Sequence, residues 1–92
     1  HMQIVNHQQF MAMPAGTVYQ KYEPQVFYDM AVKGDNCGED DWFYSDLVPS
    51  IEDDAPVFEH CICRDGVYDE DQLFAVWSPD DVALMVALMV GE

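Results

Sequence analysis

The chain has 92 residues, 50% of them hydrophobic, with eighteen acids against three bases and a formal net charge of -15. That length and hydrophobic content predict one folded domain and exclude disorder as the default state. The charge disfavours nucleic acid and anionic membrane surfaces as direct partners and favours basic proteins or cations. His1 and Met2 read as the remainder of a cleaved expression tag, which leaves 3–92 as a single domain.

Asn6 is placed to cap a short helix over His7 to Met13, with Phe10 and Met13 on one side. Pro14-Ala15-Gly16 ends it. A β-rich run from Thr17 to Tyr22 predicts a strand, and Val26 to Val32 a second one. Gly34 to Gly38 has the composition of a turn-rich loop. A third strand is expected from Trp42 toward Leu47 and Val48, stopped by Pro49. Ser50 to Pro56 reads as an acidic linker, Val57 to Cys63 as a fourth strand, Arg64-Asp65-Gly66 as a turn, and Gln72 to Trp77 as a fifth strand.

The last element has the clearest start signals. Ser78 suits an N-cap, Pro79 the first helical position, and Asp80 and Asp81 the positive end of the helix dipole. The helix is expected over Pro79 to about Val90, ending at Gly91. From Val82 onward it has no polar face, which predicts that it is enclosed, most simply by a second copy of the chain through Leu84, Met85, Leu88 and Met89. A buried strand is the competing reading of the same run. At nine residues, Val82 to Val90 is far short of the roughly 20 that span a bilayer. Strands followed by a helix predict an α+β domain with a mainly antiparallel sheet of about four to five strands, possible also as a small barrel, with a short N-terminal and a C-terminal helix.

The chemistry-bearing residues are sparse. Cys61 and Cys63 form a single C-x-C, with His60 beside them and Cys37 and His7 elsewhere, which is short of the paired spacing of a structural zinc site. Neither "DGVYDED" nor "GDNCGEDD" follows the EF-hand pattern. No metal and no cofactor is therefore expected. No phosphate-binding loop and no recognisable nucleophile–base arrangement is present, so catalysis is not expected either. With no basic n-region followed by an apolar run in "QIVNHQQF", reduced thiols in a cytoplasm are the expectation.

The acids fall in groups: Glu39-Asp40-Asp41, Glu52-Asp53-Asp54 and Asp69-Glu70-Asp71, with Asp46 and Glu59 between and Asp80-Asp81 beyond. Loops carrying such groups could present a charge field comparable with DNA, which has roughly one charge per 1.7 Å of axis. Acids flanking Trp42 and Tyr44 in "GEDDWFYSD" would steer a basic partner toward an aromatic anchor. The candidate partner-binding set is therefore Glu39, Asp40, Asp41, Trp42, Tyr44, Asp46, Glu52, Asp53, Asp54, Asp69, Glu70 and Asp71. The bland alternative is a solvated acidic surface that only keeps the protein soluble.

Small size, extreme acidity and the stretches "MAMPAGTVYQKYEP", "MAVKGD" and "DWFYSDL" resemble small phage- or prophage-encoded proteins, among them anti-CRISPR and anti-restriction inhibitors that imitate nucleic acid. The resemblance implies a non-catalytic inhibitor acting on a nucleic-acid-handling protein in the host bacterial cytoplasm. A small structural or assembly protein acting through an apolar homo-oligomer interface is the reading from a different class.

Overall fold

A computed structural model describes residues 2–24, 26–48, 50–64 and 71–91. The elements in chain order are β1 (Gln3–Val5), α1 (His7–Met11), β2 (Val18–Glu23), β3 (Val26–Phe27), β4 (Ala31–Cys37), β5 (Asp41–Asp46), β6 (Ser50–Glu52), β7 (Ala55–Val57), β8 (His60–Cys63), β9 (Leu73–Trp77) and α2 (Pro79–Val90). The fold is α+β. One antiparallel sheet runs in the order β1-β9-β2-β4-β5-β8, with β3 added to the end of β2. Among the described residues β1 and β8 remain its two edges, so the sheet is open and the barrel alternative is set aside. It has more strands than the sequence suggests because β1 is a strand only by pairing with β9.

Register divides the sheet into two faces. Trp42 lies opposite Cys63 and Tyr44 opposite Cys61, while Phe43 lies opposite Ile62 and Ser45 opposite His60. Period-two alternation therefore puts Trp42, Tyr44, Cys61 and Cys63 on the inner face. Tyr19, Phe74 and Val76 share that face through the pairing of β2 with β9. Helix α1 lies across it, held by a capping box in which Asn6 accepts from the Gln9 N–H and the Gln9 side chain accepts from the Asn6 N–H. Its contribution to the core is Phe10, which is fully buried. Phe10 stacks on Phe74 at 4.1 Å between centroids and meets Tyr19 and Trp42 at 4.6 and 4.9 Å.

The buried indole N–H of Trp42 donates to the Tyr19 hydroxyl at 2.8 Å, so the core's largest side chain leaves no polar group unpaired there. Lys33 is buried on the same face. Its ammonium donates to the Asn36 side-chain oxygen at 2.7 Å and lies 5.7 Å from the centre of the Phe10 ring. Burial holds its pKa below the ordinary lysine value, with Asp35 opposing the shift.

Four segments differ from the sequence reading. Gly34 to Cys37 continues β4 instead of forming a loop, with a register shift between Lys33 and Asn36. At Gly34 an added Cβ would sit 3.3 Å from the Cβ of Phe43, so the strands approach closely there. The expected acidic linker is the β6–β7 hairpin, in which Glu52 pairs with Ala55. The strand expected over Val57 to Cys63 is broken at Phe58 and Glu59, and that expected over Val26 to Val32 is broken between Phe27 and Ala31. The expected turn at Asp65-Gly66 lies outside the described residues. Helix α2 follows its cap signals: Ser78 accepts from the Asp81 N–H at 3.2 Å, and Gly91 closes the end in the left-handed region at φ 77. The strand alternative for Val82 to Val90 is thereby overturned.

Replacing Phe10 by Ala should destabilise the domain by about 3–5 kcal/mol, read by urea denaturation, since a fully buried ring in close contact with three others leaves a cavity. Tyr19→Phe should cost about 1–3 kcal/mol at neutral pH, because the Trp42 N–H loses its acceptor. Burial, offset partly by the Trp42 hydrogen bond, raises the Tyr19 pKa. The folded state thus disfavours the phenolate, and its contribution is present below the unfolded value of about 10 and lost above it. Denaturation at a series of alkaline pH values should show a shallower decline in Tyr19→Phe than in the parent.

Candidate functional site

The antiparallel topology sorts the acids between the two ends of the sheet. Strand β5 ends at Asp46 where β8 begins, and the Asp46 N–H donates to the Glu59 carbonyl at 3.1 Å. The start of β4 lies at the same end, where the Leu47 N–H donates to the Met30 carbonyl at 3.1 Å. So does the start of β9, since Leu73 pairs with Tyr22 near the end of β2. This end therefore gathers Glu23, Asp29, Asp46, Glu59 and Asp71, and the β6–β7 hairpin with Glu52, Asp53 and Asp54 is inserted there between β5 and β8. Glu39, Asp40 and Asp41 lie at the opposite end, in the β4–β5 connection, and Asp80 and Asp81 follow β9 on that same side.

The candidate residues thus do not form one surface. Asp46, Glu52, Asp53, Asp54 and Asp71 share an end; Glu39, Asp40 and Asp41 are separated from them by the length of the strands. Asp69 and Glu70 lie outside the described residues. Glu39 is exposed, but Asp40 and Asp41 are half-buried, and the Asp40 carbonyl accepts from the His7 ring at 2.8 Å. The backbone of that first group therefore helps to hold α1 in place.

Trp42 requires a correction. The sequence reading gives it the role of an aromatic anchor, with either Trp42 and Tyr44 or Phe43 facing outward or covered by another element; it is 1% exposed at the centre of the core. Strand parity pairs Trp42 with Tyr44 but does not reveal which face is covered; α1 decides it. Tyr44 is half-buried on the inner face. Burial, then the neighbouring Asp46 carboxylate, holds its phenol above the ordinary value.

Beside the richer acidic end, the inner face opens into a cleft of about 540 Å³ lined by Tyr19, Lys21, Tyr28, Asp29, Ala31, Tyr44, Asp46, Ile62, Cys63 and Arg64. Two of the chain's three bases line this cleft with Asp29 and Asp46, so local charge there is near balance. The uncompensated acid is consequently on the hairpin and the connections beyond the cleft. On the outer face, Ser45 and His60 share a 3.0 Å hydrogen bond, with the His60 ring stacked on Phe43 at 5.6 Å. This pair was not legible in the sequence, and it does not line the cleft. Among the described residues no group of three or more His, Cys, Asp or Glu side chains could hold a metal ion, and no helix is long and apolar enough to cross a membrane.

The hairpin tip has its own backbone chemistry. Asp53 and Asp54 have φ 49 and 64, consecutive left-handed residues between paired strands, as in a type I′ turn. Aspartate tolerates this region better than most residues, so turn geometry accounts for part of the acid there. Compared with known proteins, the chain matches no family model, no curated sequence and no solved structure.

Asp53→Asn with Asp54→Gly would install the pair that this turn favours while removing two charges. The double variant should melt at the parent temperature or above it, read by circular dichroism. A clear loss of stability would mean that those carboxylates make structural contacts.

Proposed function

We propose that the protein is a non-catalytic inhibitor that binds a basic, nucleic-acid-handling protein, presenting clustered carboxylates where that protein normally holds phosphates. A host defence complex of the CRISPR or restriction type is the class of target that the sequence resemblance suggests. The supporting observation is the concentration of Asp46, Glu52, Asp53, Asp54, Glu59 and Asp71 at one end of the sheet. Carboxylates carried on paired strands and a tight turn are pre-ordered, which lowers the ordering cost of binding. The lysines and arginines of a phosphate-binding groove would exchange one set of anions for another, and attraction would raise the encounter rate. Relative to the sequence reading, the proposal moves to this one end and gives no anchoring role to Trp42.

The test is affinity capture from a nuclease-treated bacterial lysate, using the parent and a variant carrying Glu52→Gln, Asp53→Asn and Asp54→Gly. The parent should retain a basic protein that is displaced by duplex DNA and by raising salt from about 0.1 M, where exposed charges act over only about 10 Å. The variant should retain much less of it. Equal retention by both chains, or a captured protein that DNA does not displace, would refute competition for a phosphate site.

A further inference from the structure

Helix α2 leaves the sheet after Trp77, and among the described residues nothing encloses it fully. No residue of it is buried; Leu84, Val86, Leu88, Met89 and Val90 are 52 to 81% exposed, while Val82, Met85 and Ala87 are half-buried. An apolar rod of this kind marks a contact surface. At its root lies an open cleft of about 850 Å³, whose apolar lining includes Met13, Pro14, Val18, Trp77, Pro79 and Val82.

We propose that the occupant is a second copy of this chain. Two α2 helices pair antiparallel about a two-fold axis, and the tip of each enters the root cleft of the other. The dimensions fit. Twelve residues make a rod about 18 Å long, so antiparallel pairing brings Leu88 and Met89 to the partner's root. A rod of that length and 10–12 Å diameter has a lateral surface of about 600 Å². Helix against helix alone would cover one side of it. Insertion of the tip covers more and adds the cleft walls; the full lateral surface of two rods, about 1,200 Å², is the ceiling on what the helices themselves contribute, and it lies at the lower edge of a specific interface.

Charge narrows the choice of occupant. Val82 to Val90 carries no charged residue, so it is the stretch over which two chains of net charge -15 can meet with least repulsion. An interfacial membrane helix carries Lys or Arg on a polar face; α2 has neither, and its first turn carries Asp80 and Asp81. A basic partner would find no carboxylate along Val82 to Val90. The rod and the apolar cleft occur on one molecule, which is the self-complementarity that a two-fold interface requires.

Sedimentation velocity over the micromolar range tests this without a ligand. The parent should form a dimer that tightens by about tenfold or more between about 0.05 and 0.5 M salt, because screening weakens repulsion between copies. That dependence is opposite in sign to the one expected for the carboxylate surface, so the two proposals fail separately. Leu88→Gln with Met89→Gln alters side chains exposed in the single chain and leaves charge unchanged, so helix content should be retained while the dimer is lost. Trp77 emission should shift to the blue on dimerisation of the parent, with buried Trp42 unchanged. Any one of the following overturns the proposal: a monomer throughout at high salt, a dimer insensitive to the double substitution, an unmoved Trp77 emission, or α2-dependent binding to anionic lipid vesicles.

Discussion

The Phe10 ring, stacked on Phe74 and wedged between Tyr19 and Trp42, joins parts of the chain that local structure alone would not bring together. It stands on a helix of only five residues, too short to persist alone in water. The rings it meets come from β2, β5 and β9, which are distant in sequence. Pairing of β1 with β9 delivers α1 to the inner face, and the aromatic contacts then hold both the helix and the strands. Trp42 takes its direction from this arrangement: once Phe10 covers the inner face, the large residue opposite Cys63 is core, and Phe43 is left to the outer face with His60.

A core of this kind excludes the acids, and an antiparallel sheet has few places to put them. Strand residues alternate between faces, so charge moves to the connections. Connections of antiparallel neighbours lie alternately at the two ends, which divides Glu39 to Asp41 from Asp46 and the β6–β7 hairpin. The division is a consequence of topology, independent of any partner. The hairpin tip shows the same economy: Asp53 and Asp54 satisfy a left-handed turn and carry charge with the same residues.

Elements built from local chemistry were legible in the sequence. The Asn6 cap, the Ser78-Pro79 start and the Gly91 end depend on residues within a turn of one another, and the folded chain uses them as read. Elements defined by a distant partner were not. Gln3–Val5 has no distinctive pattern until β9 lies beside it. Gly34 to Cys37 has the composition of a loop, but it continues β4 through a register shift, with Gly34 packed close beside Phe43. The Asp53-Asp54 turn lacks the glycine that normally reveals a hairpin. At the candidate site, strand parity grouped Trp42 with Tyr44 correctly and could not say which face was buried. Sequence clusters of acid likewise gave no sign of their division between two ends.

The strands also set the range over which the acids can act together. Six residues of β5 extend about 20 Å at roughly 3.3 Å each. At physiological salt, fields between exposed charges decay over about 8 Å. The two acidic ends are therefore nearly independent, and a basic surface engaging the hairpin end gains little from Glu39 to Asp41. The net charge of -15 thus overstates what any single contact experiences. Apolar contact at α2 is limited differently, since burial does not decay with ionic strength in this way. Dilute salt favours carboxylates meeting a basic surface and opposes the approach of a second copy; concentrated salt does the reverse. The two proposed contacts would therefore answer oppositely to salt, because charge is kept out of Val82 to Val90 and placed at the strand ends.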